Sequence, residues 1–98
     1  MSRYIPHKAK RDANESEITA ALKQAGCTVQ PLSAKGVPDL LVGFTDIETG
    51  QPCMILMEVK DGYNKLTDDQ SKWHIWWIGR PVAIVRSIED ALKAIGRL

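Results

Sequence analysis

The sequence has no long apolar run. Its longest uninterrupted stretch of apolar side chains, Cys53 to Met57, is five residues, against the roughly 20 a membrane-spanning helix needs. The expectation is a soluble chain with no membrane partner. Cysteine is scarce. Cys27 and Cys53 stand alone, too far apart for a C-x-x-C metal pair and too few for a disulfide framework. Both are expected to be buried small apolar residues, and the expected location is a reducing cytoplasm. Charge of one sign is lacking too, with 13 Lys and Arg against 12 Asp and Glu, so a strongly basic protein that grips nucleic acid through its net charge is excluded. The N-terminus carries Arg3, Lys8, Lys10 and Arg11 but no apolar segment of the length a secretory signal requires, and export is not expected.

What is present is a chain for one small domain. Ninety-eight residues, 44% apolar and 26% charged, have a globular composition and are too few to divide between two cores. Residues 1–13 lack apolar periodicity and read as a basic arm, and residues 14–98 read as the domain. Ile18, Ala21, Leu22 and Ala25 recur at helical spacing after Asn14, which with Glu17 resembles a capping box, and Gly26 ends this helix. Cys27 to Leu32 reads as a short strand, and Ser33 to Gly36 as a turn. Asp39 to Phe44 and Cys53 to Lys60 read as the strands of a hairpin, joined by the loop Thr45 to Pro52. Thr67 and Gln70 form a capping box opening a second helix that Gly79 stops. Pro81 to Arg86 is a β-branched strand, and Ser87 with Asp90 starts a last helix, Ile88 to Ile95. The order α-β-β-β-α-β-α, with a crossover between the last two strands, predicts helices over a mixed four-stranded sheet.

The third strand holds the candidate chemistry. It runs apolar through Met57 and then presents Glu58 and Lys60 on one face, because alternate side chains of a strand share a face. A charged strand end is ordinary by itself. If the hairpin closes so that Asp39 lies opposite Glu58, however, its midpoint falls between Glu48 and Thr49, in the middle of the predicted loop. Two carboxylates at that spacing repel unless a cation lies between them, and all-oxygen ligands suit Mg²⁺ or Mn²⁺. Asp39 has a second explanation, as the residue that caps a backbone amide in the turn Gly36-Val37-Pro38-Asp39. On the first helix Glu15 falls beside Ile18 and Leu22, on the stripe that faces the sheet, where an ionised group needs a partner such as a metal or Lys60. Its position in the first turn is equally explained by the helix dipole.

Glu15 on a first helix, then Gly36-Val37-Pro38-Asp39, then Glu58-Val59-Lys60, then Gln70 opening the next helix is similar to the PD-(D/E)XK nuclease superfamily. Within it the chain resembles the VRR-NUC group, which includes small standalone versions in phages and bacteria. The resemblance extends from Asn14 to about Ile95. It implies a restriction-endonuclease-like αβββαβ core with a short C-terminal helix in addition. Where the group's Val-Arg-Arg falls on the last strand, this chain has Val85-Arg86-Ser87.

The resemblance implies a metal-dependent endodeoxyribonuclease that hydrolyses DNA phosphodiester bonds. Asp39 and Glu58 are then metal ligands, with the Val59 backbone carbonyl, and Glu15 holds a metal-bound water or a second metal. Lys60 orients or deprotonates the attacking water. Gln70 is expected near the site, although its capping role explains it equally well. Setting the three carboxylates aside leaves 13 basic groups against nine acidic ones, and Lys8, Lys10, Arg11, Lys35, Lys65 and Lys72 are candidates for phosphate contacts. One chain supplies one site, so coordinated cutting of two strands calls for a homodimer. By analogy with the resembled group the preferred substrate is a four-way (Holliday) junction, met in the host cytoplasm if the chain is phage-encoded. A flap or duplex nickase of the same chemistry, a non-catalytic nucleic-acid-binding module and a structural partner protein are the alternatives. Trp73, Trp76 and Trp77 form a stripe for core packing, a dimer interface or base stacking, with core packing the first expectation. His74 among them reads as a satisfied, partly buried histidine, since no second histidine or cysteine is spaced to share a metal with it. Tyr63 reads as a loop residue.

Overall fold

The computed structural model describes residues 11–98. Its elements are α1 (Glu15–Gln24), β1 (Thr28–Pro31), β2 (Leu40–Thr45), β3 (Pro52–Val59), α2 (Asp68–Trp76), β4 (Ala83–Val85) and α3 (Ile88–Ala94), in the order the periodicity predicts. The strands form one mixed sheet in the order β1-β2-β3-β4, antiparallel at the first two pairings and parallel between β3 and β4. The parallel pair requires a long crossover, and α2 lies within it. The described chain is thus an α/β fold with three helices and a four-stranded sheet.

Burial follows the two periodicities. Leu40 and Val42 of β2, with Ile55, Met57 and Val59 of β3, point to one side of the sheet and are buried there with Val85 of β4. Ile18 and Leu22 of α1 and Ala91 with Ile95 at the end of α3 join them in one core. Complete burial of each large side chain of this set contributes about 1.5–3 kcal/mol before chain entropy is charged against it. The residues that alternate with them on β3, namely Met54, Leu56 and Glu58, face the other way, and Glu58 meets α2 there. The sheet thus carries its apolar core on one face and its ionisable strand end on the other.

Several local expectations are corrected. Asn14 precedes α1 but makes no side-chain cap. Its Nδ2 donates instead to the carbonyls of Lys60 (3.2 Å) and Arg86 (3.1 Å), the residues just past β3 and β4. α2 stops at Trp76, short of Gly79, with Trp77 already in extended backbone. The run Ile75 to Ile78 is made of residues with middling helix propensity, and nothing buried holds it in a helix. β4 is shorter than Pro81 to Arg86, because Pro81 has no N–H to give a ladder and the Arg86 N–H is taken by the Asp90 carboxylate at 2.9 Å. The tryptophans are not core. α2 has no buried residue, and Trp76 is 70% exposed. Trp73 instead stacks on Trp77, with centroids 5.2 Å apart, and meets Trp76 edge-on at 5.9 Å. Cys27 is buried, but Cys53 is only half-buried near the hairpin loop. No helix among the described residues is long and apolar enough to cross a membrane.

The caps of the later helices form as read, with a full capping box on α2 and a single serine cap on α3. Thr67 Oγ1 accepts from the Gln70 N–H while Gln70 Oε1 accepts from the Thr67 N–H, and Ser87 Oγ accepts from the Asp90 N–H.

Candidate functional site

The hairpin places Leu40 opposite Met57 and Thr45 opposite Pro52, the register set by a turn centred between Glu48 and Thr49. One step further along, Asp39 and Glu58 belong to neighbouring strand ends. Asp39 is 5% exposed. Its Oδ2 accepts the Val59 N–H at 2.8 Å, and its carbonyl accepts from the Leu32 N–H (2.8 Å) and from Arg11 Nη2 (3.2 Å). It therefore does bond a backbone amide, but across the hairpin and not within its own turn. Gly36, at φ +83°, turns the chain into this segment, pressed against Asp69 of α2. A side chain there meets the left-handed penalty as well as Asp69.

Glu58 is completely buried. An isolated carboxylate in that position is costly, and α2 supplies its partners. Gln70 Nε2 donates to Glu58 Oε2 at 3.2 Å, and His74 Nε2 lies 3.1 Å from Glu58 Oε1. Gln70 thus does both things expected of it, with its Oε1 closing the helix cap and its Nε2 on Glu58. Burial, together with the Lys60 ammonium nearby, pushes the His74 imidazole below its ordinary pKa. Against an ionised Glu58, which offers only acceptors, the contact is His74 Nε2–H donating to the carboxylate. His74 is satisfied and partly buried as read, but its partner is one of the two candidate ligands. Gln70 and His74 at i and i+4 share one helix face. That spacing of two hydrogen-bonding side chains was the available signal in the sequence.

Lys60, just beyond β3, is 6% exposed, and its N–H is fixed to the Val85 carbonyl at 3.0 Å. With Asp39, Gln70, Asp61, Asp69 and Lys35 it lines a cleft of about 530 Å³. Glu58 is not part of the cleft wall; it lies behind Gln70. The loop after β3 is held by Arg86, whose Nη1 donates to the carbonyls of Gly62 (2.9 Å) and Asn64 (2.8 Å), leaving Tyr63 almost fully exposed.

Other expected residues lie elsewhere. Glu15 is on the sheet-facing side of α1, but its side-chain partner is Arg11 and not Lys60. Arg11 Nε donates to Glu15 Oε2 at 2.8 Å, and Arg11 Nη1 reaches the Leu32 carbonyl. Arg11 is therefore anchored to the domain and not part of a loose arm, and its hydrogen bonds are spent on the protein. Lys8 and Lys10 lie outside the described residues. Lys35, Lys65 and Lys72 are exposed, and Lys35 approaches Asp69 at 3.6 Å. Lys72 lines a second, shallower groove with Trp73 and Trp76, next to the cleft.

Among the described residues no three His, Cys, Asp or Glu side chains form a ready ligand cage. The residues nonetheless fit a hard divalent cation. Mg²⁺ is commonly held by one or two carboxylates, with water and substrate phosphate completing the shell. Asp39 and Glu58 supply hard oxygen donors at adjacent strand ends, and Asp39 and Lys60 stand on the wall of the cleft with Glu58 buried beside it. Comparison with protein-family models, curated proteins and solved structures returns no match.

Proposed function

We propose that this chain is a Mg²⁺- or Mn²⁺-dependent endodeoxyribonuclease of restriction-endonuclease-like type, acting as a homodimer on branched DNA with the four-way junction as preferred substrate. The observation that carries the reading is the burial of Asp39, Glu58 and Lys60 together at neighbouring strand ends, with Asp39 and Lys60 on the wall of one open cleft. A small domain rarely buries three ionisable groups together without a use for them. In this reading Asp39 and Glu58, with the Val59 carbonyl, hold the cation, whose contribution is activation of water and neutralisation of phosphate charge. Lys60 as an ammonium orients the attacking water, or as the neutral amine takes its proton and becomes the ammonium; either way the ammonium stabilises the charge that develops on the phosphate. Lys35, on the cleft wall, and Lys65 and Lys72, on the exposed surface, contact flanking phosphates without reading sequence. Gln70 keeps Glu58 in place. Glu15, tied to Arg11, supports the wall from behind.

The test is a cleavage panel of matched linear, flap and four-way DNA with and without divalent cation, run beside a sizing measurement. Expected are cleavage only with Mg²⁺ or Mn²⁺, preference for the junction, a dimer, and loss of cleavage but not of binding in Lys60→Ala. A flap or duplex preference leaves the chemistry standing and replaces the substrate. The cover of Gln70 and His74 over Glu58 favours one second reading, a DNA-binding module whose carboxylates only maintain the fold. A wild-type chain that binds every substrate and cuts none establishes that module.

A further inference from the structure

The contact between His74 and Glu58 gives one buried carboxylate a second partner from the same helix. That buried carboxylate is already met by Gln70, and no residue of α2 is itself buried. Yet His74, one helical turn on, places Nε2 against the other oxygen of the same carboxylate at 3.1 Å. The two contacts grip Glu58 from both sides. A carboxylate held at one oxygen still rotates about its last torsion; held at both, its plane is fixed.

We infer that His74 is a positioning residue for the cation site: with Gln70 it locks the Glu58 carboxylate in the orientation that a divalent ion requires. The inference rests on the reading of Glu58 as a metal ligand. Partners hydrogen-bonded to ligating carboxylates tune affinity strongly, and their loss typically weakens metal binding by about 10–100-fold. His74 makes no contact with the metal or with DNA. It acts through Glu58, so its loss shows in cation affinity before it shows in folding.

Calorimetric titration with Mn²⁺ alone tests this on the full chain, comparing wild type, Glu58→Gln, His74→Ala and His74→Gln, with thermal melting run on each. Wild type is expected to bind and Glu58→Gln to lose binding. His74→Ala is expected to bind about 10–100-fold more weakly. His74→Gln, which returns an N–H donor at a similar reach, is expected to recover most of that loss. Should His74→Ala not fold, His74→Leu fills the same space without a donor. Two results overturn the inference while leaving the metal site intact: Glu58-dependent binding that His74→Ala leaves unchanged, or equal weakening in His74→Ala and His74→Gln. A wild type that takes up no Mn²⁺, or takes it up equally with Glu58→Gln, removes the metal site itself and the inference with it.

Discussion

The carboxylate of Asp39 accepts the main-chain N–H of Val59 at 2.8 Å across the open end of the β2–β3 hairpin. The bond ties the candidate ligand on one strand to the residue flanked by Glu58 and Lys60 on the other, so the site is held by the backbone of the hairpin. Two substitutions separate this structural role from chemistry. Asp39→Ala leaves the buried Val59 N–H without its acceptor and is expected to cost about 1–3 kcal/mol. Asp39→Asn keeps an acceptor oxygen and is expected to cost clearly less. Both are expected to lose divalent-dependent cleavage. Urea unfolding ranks their stabilities and the junction assay reads the chemistry. An Asp39→Asn chain that cuts like wild type removes Asp39 from the ligand set.

Asn14 illustrates how a helix-start residue can do something other than cap. Its side-chain nitrogen bridges the carbonyls of Lys60 and Arg86, joining the start of α1 to the end of β3, where Glu58 and Lys60 lie, and to the end of β4. Asp is as good an N-cap as Asn, but it presents oxygens where these carbonyls need a donor. Asn14→Asp is therefore expected to be less stable than Asn14→Ala. The alanine form itself is expected to lose about 1–2 kcal/mol, the worth of one or two hydrogen bonds. Equilibrium unfolding of the two variants decides it, since a capping role reverses their order.

These two residues mark where the sequence could be read and where it could not. The hairpin register was legible because a strand alternates with period two, and sliding it by one residue turns Leu40, Val42, Ile55 and Met57 outward. Asp39 and Glu58 followed from that register, and the caps at Thr67 and Ser87 followed from local spacing. The bonds of Asn14 and Arg86, and those of Arg11 to Leu32 and Asp39, were not legible, because their partners are carbonyls brought near only by the fold, and every residue carries a carbonyl. The tryptophan stripe misled for the opposite reason. Its spacing specifies that Trp73, Trp76 and Trp77 share a helix face, but not whether that face meets the core. Here α2 lies over the strand end through Gln70 and His74 and leaves Trp76 largely in solvent.

Gly36 ties the cleft wall to α2. Its φ of +83° is one an alanine adopts only at a cost of about 1–2 kcal/mol. An added Cβ stands 3.2 Å from the Asp69 Cβ, in the first turn of α2. Gly36→Ala is expected to destabilise the chain by about 1–3 kcal/mol, the conformational penalty plus a small displacement of Asp69. The same displacement reaches Lys35 and Gln70 on the cleft wall, so cleavage is expected to fall as well. Denaturant titration measures the first effect. A Gly36→Ala chain as stable as wild type shows that the turn relaxes freely, and the wall is then not braced from this side.

Acid sensitivity has an identified source in the hairpin loop. Asp46 accepts from the main-chain N–H groups of Thr49 at 3.0 Å and Glu48 at 2.8 Å. Those amide bonds, Thr49's first and then Glu48's, hold its carboxyl below the ordinary value of 3.8. The folded state therefore favours the ionised form and binds fewer protons than the unfolded chain just below that value. The resulting stability is fully present above pH 3.8 and is lost as the pH falls through the lower folded value. Asp46→Ala removes the carboxylate and with it this dependence. The stability gap between wild type and Asp46→Ala is expected to be widest near neutral pH and to narrow in acid. Urea titrations at a series of pH values measure it directly, and a gap that stays constant from neutral pH into acid shows that the loop is held by its backbone bonds and not by this charge.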